Sequence, residues 1–462
     1  MIPRFRSSCK SRAADCRGGI SPEDVENLLG QHSHGDSLKP HALRDFLASR
    51  FPDYCRSHPV TEEKLKVMNS LLSCKTGKLG YTLTSCNTCR RIEMHACACG
   101  NRNCPSCGYL DEKRWVALRQ AEVIPGIPYF HLVFTLPHDL SQIMYQNQRE
   151  TLNLLFHAAR DTVLTLSRDK LKMKPGILMV LHSFGSELSL HYHVHMLLTG
   201  GGLTEDGKNF KRCLSNTFFL PVRALTRVYK GKFMDGFKKL RSDDRLDYYN
   251  DALKYRNSYT WKELLNSCYK ADWNVEIKYL APVPAGEAAP STEENTDNAI
   301  TYFSRYTNRT AISDSRIEGY DEQGIRFRYK KYDGSSYTMG TMNLAADEFI
   351  RRFLMHILPA GFARIRYAGF MAGCVRRKNL ELIHELLGAS YRESPVKGMG
   401  SADLILHFYD RDITVCEKCH SKLEIHPRMS RISAAIFIRA VLIRSLHSFI
   451  QPSLEEGLFA VP

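Results

Sequence analysis

The stretch Leu188 to Leu203, LSLHYHVHMLLTGGGL, constrains the fold more than any other part of the chain. Leu188, Leu190, Tyr192, Val194, Met196 and Leu198 alternate with Ser189, His191, His193 and His195. Alternation with period two specifies a β-strand, here with one apolar face and one face lined by imidazoles. A rise of about 3.3 Å per residue projects His193 and His195 from the same face, roughly 6–7 Å apart. Two neutral imidazoles at that separation can share one divalent metal. A lone His-x-His is equally at home on the wet face of an edge strand, so its meaning depends on the rest of the chain. The run Gly200-Gly201-Gly202 reads as the end of the strand, where glycine allows positive φ or close backbone approach.

The neighbouring patterns supply a sheet and its helices. Tyr129 to Leu136 (YFHLVFTL) and Ile177 to Phe184 (ILMVLHSF) read as apolar strands, the second joined to the histidine strand as a hairpin. Between them, Ile143, Leu152, Leu155, Phe156, Val163, Leu164 and Leu166 have helical spacing. Phe218 to Leu240 reads as a helix broken near Pro221, and Trp273 to Leu280 as a further strand. Strand–helix–strand–strand–helix–strand predicts an α+β fold, a mostly antiparallel sheet with packed helices. Residues 281–298, rich in Pro, Ala and Glu, read as a flexible loop within that domain.

Ahead of the sheet lies a cysteine cluster, YTLTSCNTCRRIEMHACACGNRNCPSCG. Cys86 and Cys89 form one C-x-x-C and Cys104 and Cys107 a second, spaced to close a tetrahedral Zn²⁺ site with no ligand position open to water. Cys97, Cys99 and His95 lie inside the loop as alternative ligands. The first residues lack the apolar core of a secretory signal, and no run of 18 apolar residues occurs. The expected compartment is therefore cytoplasmic, where clustered thiols bind metals rather than pair as disulfides. Cys416-Glu417-Lys418-Cys419-His420 is a solitary C-x-x-C, read either as half of a second zinc site or as idle thiols.

Sixty-four Lys and Arg against 49 Asp and Glu give a net charge of +15, which points to a polyanionic partner, nucleic acid first. Within this charge sits Ile300 to Ser313, ITYFSRYTNRTAIS. Tyr302 and Tyr306 are four apart, on one helical face, with Arg305 and Arg309 as a basic stripe beside them. Such a tyrosine pair is more often packing than chemistry. Beside two guanidinium groups and a histidine pair, it acquires a chemical meaning. A phenol oxygen can attack a phosphodiester and form a phosphotyrosine. With an unperturbed pKa near 10 it needs help from a metal and from arginines holding the flanking phosphates.

These segments resemble a known group. His193-Val194-His195 resembles the His-hydrophobic-His motif of the HUH single-strand endonucleases. HVHMLLTGGGLTEDG, PYFHLVFTLPH, FFLPVRALTRVYKGKF, YFSRYTNRTAIS and EFIRRFLMHILPAGFARIRYAG resemble the two-tyrosine rolling-circle transposases of bacterial insertion sequences. The cysteine cluster is similar to that family's N-terminal zinc-binding module. The resemblance covers about residues 75 to 390. It implies an HUH-like sheet and an enzyme that nicks and joins single-stranded DNA at transposon ends and in target DNA. It also implies Mg²⁺ or Mn²⁺ on His193 and His195, with Tyr302 and Tyr306 as nucleophiles. One tyrosine would retain the 5′-phosphate and leave a 3′-OH, and the second would permit a further transfer. A third metal ligand is usual, and His191 is on the correct face to serve or to orient the site from outside. Relatives usually carry Tyr-Thr-His-Arg where this chain has Tyr306-Thr307-Asn308-Arg309; asparagine keeps a hydrogen bond but cannot shuttle a proton.

The expected organisation is a loose leader (1–40), a helical and zinc-binding region (41–125), a catalytic domain (126–390) and a C-terminal extension (391–462). A zinc-dependent DNA-binding protein without nuclease chemistry shares the charge and the cysteines. A replication initiator or relaxase shares the chemistry but takes a different DNA.

Overall fold

The computed structural model describes residues 41–438 apart from 214, 216, 281–298, 334, 335 and 431. The expected leader and the expected flexible loop lie outside the described residues.

In chain order, α1 (Ala42–Ser57) and α2 (Glu62–Leu72) precede β1 (Tyr81–Cys86) and β2 (Ile92–Ala96). Helix α3 (Tyr109–Gln120) leads to β3 (Tyr129–Thr135), then α4 (Ser141–Gln146) and α5 (Gln148–Leu166). The strands β4 (Lys174–Phe184), β5 (Leu190–Leu203) and β6 (Phe210–Arg212) follow, then α6 (Val222–Ser242), α7 (Ser258–Lys270), β7 (Val275–Leu280) and α8 (Ala299–Thr307). Next come β8 (Ile317–Tyr320), β9 (Gly324–Asp333) and β10 (Ser336–Ala345). The chain continues through α9 (Ala346–Met355), β11 (Ile365–Gly369), α10 (Arg376–Leu386), α11 (Ser401–Tyr409) and β12 (Leu423–Ile425).

The chain divides into two units. The larger comprises residues 41–72 and 100–412, the smaller residues 73–99 and those from 413 on. The expected region 41–125 is shared between the two units. The helices α1 and α2 belong with the large sheet, and the cysteine strands β1 and β2 share a unit with the C-terminal segment.

The fold is α+β. In the larger unit a wholly antiparallel sheet runs β11-β4-β5-β3-β7, with β6 added to the end of β5. Because side chains alternate across a strand, the two faces of β5 have different partners. Tyr192, Val194, Met196 and Leu198 join Phe130, Leu132 and Phe134 of β3 in the main core. Helix α5 covers that face with Leu152, Leu155, Phe156, Ala159 and Val163, at i, i+3 and i+4 spacing. Helix α6 starts after Pro221 and covers it with Leu225, Tyr229, Phe233, Phe237 and Leu240. Full burial of each of these phenylalanine rings stabilises the fold by roughly 1.5–3 kcal/mol. The opposite face packs Leu178, Val180 and Leu197 against Ile300 and Phe303 of α8 and Leu380 and Ile383 of α10. The histidines lie on this second face, so β5 is buried on both sides and is not an edge strand.

The glycine run does not end β5. Gly201 and Gly202 pair with Arg212 and Lys211 of β6, and Gly202 also faces Pro175 of β4. A Cβ on Gly202 would stand 2.5 Å from the Lys174 carbonyl oxygen, and one on Gly200 2.5 Å from the Pro128 ring. Close approach of backbone to backbone, rather than positive φ, requires glycine here.

Candidate active site

Strand register brings the imidazoles together. His182 of β4 lies directly opposite His193 of β5, and the pairing is irregular between His182 and Phe184. That bulge lets Ser183 turn to His356 (Oγ to Nδ1, 3.2 Å) while His182 keeps the histidine face. His182, His193 and His195 each offer a ring nitrogen to a group spanning no more than 4.8 Å, and all three are buried. The Nε2 atoms of His193 and His195 are 3.1 Å apart.

The remaining nitrogens are occupied in a way that favours metal ligation. His182 donates from Nε2 to the carbonyl oxygen of Tyr306 (2.7 Å), leaving Nδ1 as its free nitrogen. His193 donates from Nδ1 to the carbonyl of His191 (2.9 Å), leaving Nε2. His195 Nδ1 meets Nε2 of His131 at 2.9 Å, again leaving Nε2. Metal-binding imidazoles characteristically anchor their second nitrogen in this manner. Burial, reinforced by neighbouring imidazoles, pushes His193 down to about 3 and lowers His182 and His195 well below the ordinary value. All three are therefore neutral and have lone pairs to give at neutral pH.

His191, read from sequence either as a third ligand or as a residue orienting the site from outside, is exposed and outside the group; its carbonyl accepts from His193. The third imidazole is His182. Its only sequence signal was a histidine at the end of an apolar strand, because the register that sets it opposite His193 is not written locally. His131, another lone histidine in an apolar strand, was likewise missed.

Helix α8 presents the tyrosines to this cluster. Ile300, Phe303 and Thr307 are buried, which turns Tyr302 and Tyr306 to a half-buried flank and Arg305 to solvent. The phenol oxygens are 3.1 Å apart, and Tyr302 Oη lies 3.3 Å from His131 Nδ1. The Tyr306 ring packs on His195 with centroids 4.2 Å apart. A hydrogen-bonded path thus runs from Tyr306 through Tyr302 and His131 to His195. Burial first, then the hydrogen bond with Tyr302, raises the Tyr306 phenol above its ordinary pKa, while Arg309 and Arg305 pull it back.

The helix stops at Thr307, where Arg364 donates to the carbonyls of Thr307 and Arg309. Arg305 keeps its guanidinium 5.9 Å from the Tyr302 ring, and Arg309 lies 5.8 Å from the Phe184 ring. Lys278 of β7, unremarked in the sequence, stands 4.7 Å from the Tyr302 ring centre. Asn308 spends its amide on the Thr307 hydroxyl (3.2 Å).

The cysteines assemble differently from expectation. Within the smaller unit Cys86 and Cys89 face Cys416 and Cys419, all four sulfurs lying within 4.8 Å of one another. Cys104 and Cys107, expected as their partners, belong to the larger unit. Cys97 places its sulfur 3.8 Å from the Thr82 hydroxyl, Cys99 is half-buried, and His95 is exposed beside Glu93.

An antiparallel sheet that carries a histidine cluster beneath a tyrosine pair places the chain among the two-tyrosine, HUH-type transposases. A family profile described as "Putative transposase" matches residues 176–379, which hold both the histidine hairpin and α8. A second, "Transposase zinc-binding domain", matches residues 46–136. The putative transposase y4qJ of Sinorhizobium fredii is 37% identical over 331 residues, 70% of this chain and 78% of that protein. The transposase for insertion sequence element IS801 of Pseudomonas savastanoi pv. phaseolicola is 26% identical over 377 residues, 80% of this chain and 86% of that one. The chain belongs to this family of insertion-sequence transposases. No solved structure matches it. Among the described residues, no helix is long and apolar enough to cross a membrane.

Proposed function

We propose that the protein nicks and joins single-stranded DNA at insertion-sequence ends through a 5′-phosphotyrosine intermediate, in rolling-circle-type transposition. The observation that carries this reading is the pair of phenol oxygens 3.1 Å apart, set against three neutral, buried imidazoles. His182, His193 and His195 would hold the divalent cation. An all-imidazole set suits Mn²⁺ better than the harder Mg²⁺, which prefers oxygen ligands. When bound, the ion supplies charge stabilisation and orientation at the scissile phosphate.

The chain's own groups do the rest. One tyrosine oxygen bonds to phosphorus, the P–O3′ bond breaks, and the phenol proton passes in net to the departing 3′-oxygen. The 5′-phosphate remains on the tyrosine until a 3′-OH reverses the step on another strand. Lys278 and Arg305 lie over the Tyr302 ring and Arg309 acts electrostatically on Tyr306, so all three would hold flanking phosphates. Two tyrosines on one helical face permit two successive transfers without release of DNA.

The test is a covalent-adduct assay with Mn²⁺ and labelled single strands from the element's own termini, resolved on a denaturing gel. A metal-dependent shifted band, lost in His193→Ala/His195→Ala and in one or both of Tyr302→Phe and Tyr306→Phe, is expected. Tight binding of those strands with no adduct would leave a DNA-binding protein without this chemistry.

A further inference from the structure

The geometry points to a structural zinc site made by Cys86, Cys89, Cys416 and Cys419, in which half of the ligands come from the C-terminal segment. Sequence neighbours do not build it. Cys86 Sγ lies 3.4 Å from Cys419 Sγ, and Cys89 Sγ 3.5 Å from Cys416 Sγ, across separations of 333 and 327 residues. A tetrahedral Zn²⁺ with Zn–S bonds of about 2.3 Å needs sulfurs about 3.8 Å apart, close to what is present. A disulfide needs about 2.05 Å, and all four cysteines are free thiols.

The two C-x-x-C segments are the same turn used twice. The N–H of Cys86 donates to the carbonyl of Arg91 and that of Cys416 to the carbonyl of Ser421, each at 2.8 Å and each five residues on. The residue after the second cysteine has positive φ in both, 59° at Arg90 and 58° at His420. Neither position is glycine, so each accepts an uncommon backbone conformation to reverse the chain around its thiols. A turn repeated with its thiols aimed at a common point is a ligand knuckle twice over.

The rest of the smaller unit holds the second turn in place. Strand β12 pairs with β1 (Thr84 opposite Ile425, Cys86 opposite Leu423). Tyr81 and Met429 exchange both backbone hydrogen bonds at 2.8 Å, and Ser85 Oγ meets His426 Nε2 at 2.7 Å. Arg91 reaches Glu417 of the other turn, 3.7 Å away. Tyr81, Leu83 and Met94 bury against Ala434 and Ile438. Among the described residues that apolar cluster is small, so metal closure would add to the stability of the unit. The zinc-binding profile ends at residue 136, so the C-terminal pair lies wholly outside it.

Thiol footprinting on the full-length, zinc-loaded protein tests the site. The chain is alkylated with N-ethylmaleimide before and after a strong chelator, and each cysteine is read by mass spectrometry. The exposed Cys55 and Cys374 report reagent access. Protection of the half-buried Cys89 and Cys419 in the loaded protein, with all four thiols released together by the chelator, is the expected result. Alkylation of Cys416 and Cys419 while Cys86 and Cys89 stay protected would overturn it. Zinc content gives a second reading: Cys416→Ala/Cys419→Ala should carry one zinc fewer per chain than wild type, and Cys419→His should retain it. Undiminished zinc in the double variant would also overturn the site. If that variant fails to fold, the footprint of the wild-type chain decides.

Discussion

His182 fastens the backbone of Tyr306 to the imidazole cluster, its Nε2 donating to the Tyr306 carbonyl oxygen at 2.7 Å. The same contact that orients a ring of the imidazole cluster also fixes the helix end that carries Tyr306. Any shift of α8 against the sheet must break this part-buried hydrogen bond, which costs on the order of 1 kcal/mol. Tyr306 and the imidazole cluster are thereby held in one frame, as the proposed two-group reaction requires.

On the proposed function, His182 would be the third ligand, with a discriminating consequence. His182→Ala should weaken Mn²⁺ binding on the order of 100-fold or more, measured by titration against the electron paramagnetic resonance of free Mn²⁺. His191→Ala should leave it within a few-fold, since its ring lies outside the cluster. The opposite ranking would return the role to His191.

His131 hydrogen-bonds the Tyr302 hydroxyl and not that of Tyr306, so its loss should separate the two proposed nucleophiles. With His195 bound through Nε2, its Nδ1–H donates to His131 Nε2, and His131 Nδ1–H is left to donate to Tyr302. His131→Gln is expected to slow adduct formation roughly 10- to 100-fold in a Tyr306→Phe background, where only Tyr302 acts. In a Tyr302→Phe background the loss should be several-fold smaller. Equal losses in both would mean that His131 merely supports the fold.

Arg305 and Arg309 are assigned to phosphates by their place beside the tyrosines, and salt dependence can test that. Each phosphate contact to a single strand contributes about 0.7 to the slope of log affinity against log salt. Arg305→Ala and Arg309→Ala should each lower the slope by about that amount, measured by fluorescence anisotropy on terminal and unrelated strands alike. An unchanged slope in either variant would remove that arginine from the DNA path.

The site was legible in the sequence where its residues sit close together along the chain. The spacing of His193 and His195 and that of Tyr302 and Tyr306 each fix a shared face through the period of a strand or a helix. His182 and His131 depend on register between strands, and the partners of Cys86 and Cys89 depend on a pairing across more than 300 residues. Local periodicity carries neither kind of information. The nearer pair, Cys104 and Cys107, offered a plausible spacing and so was the natural choice for a reading confined to neighbours. The α+β plan was legible because it rests on alternating apolar runs, each of which became a strand within a few residues of its expected ends. The glycine run misled because three glycines in a row punctuate most chains, whereas here they let three strands approach closely.

That reading of the glycines predicts opposite effects at two positions. Gly202→Ala would press its Cβ against the Lys174 backbone, which cannot swing aside, at a cost of roughly 1–3 kcal/mol. Gly231→Ala, within α6 and with nothing within 4 Å of the new carbon, should stabilise by about 0.5–1 kcal/mol. Thermal melts should move roughly 1–2 °C per kcal/mol, downward for the first and upward for the second. A neutral Gly202→Ala would show that β4 and β5 tolerate separation at this end.

His356 should make the fold acid-sensitive apart from any metal chemistry. Its ring is 5% exposed, with Nε2 donating to the Leu188 carbonyl at 3.1 Å and Nδ1 accepting from Ser183 at 3.2 Å. Burial lowers its pKa from 6.5 to about 4. Below pH 6.5 the unfolded chain takes up a proton that the folded protein refuses until near pH 4. Its contribution is thus complete above pH 6.5 and is lost as the pH falls toward 4, by about 3 kcal/mol in all. Glutamine at this position can keep both hydrogen bonds and does not titrate. Urea melts of His356→Gln and wild type across pH 4 to 7 should therefore converge as the pH falls, the variant losing less stability over the window. The other buried histidines titrate in both proteins, so the difference isolates this ring. Parallel profiles would mean that His356 takes up its proton equally well in the folded state.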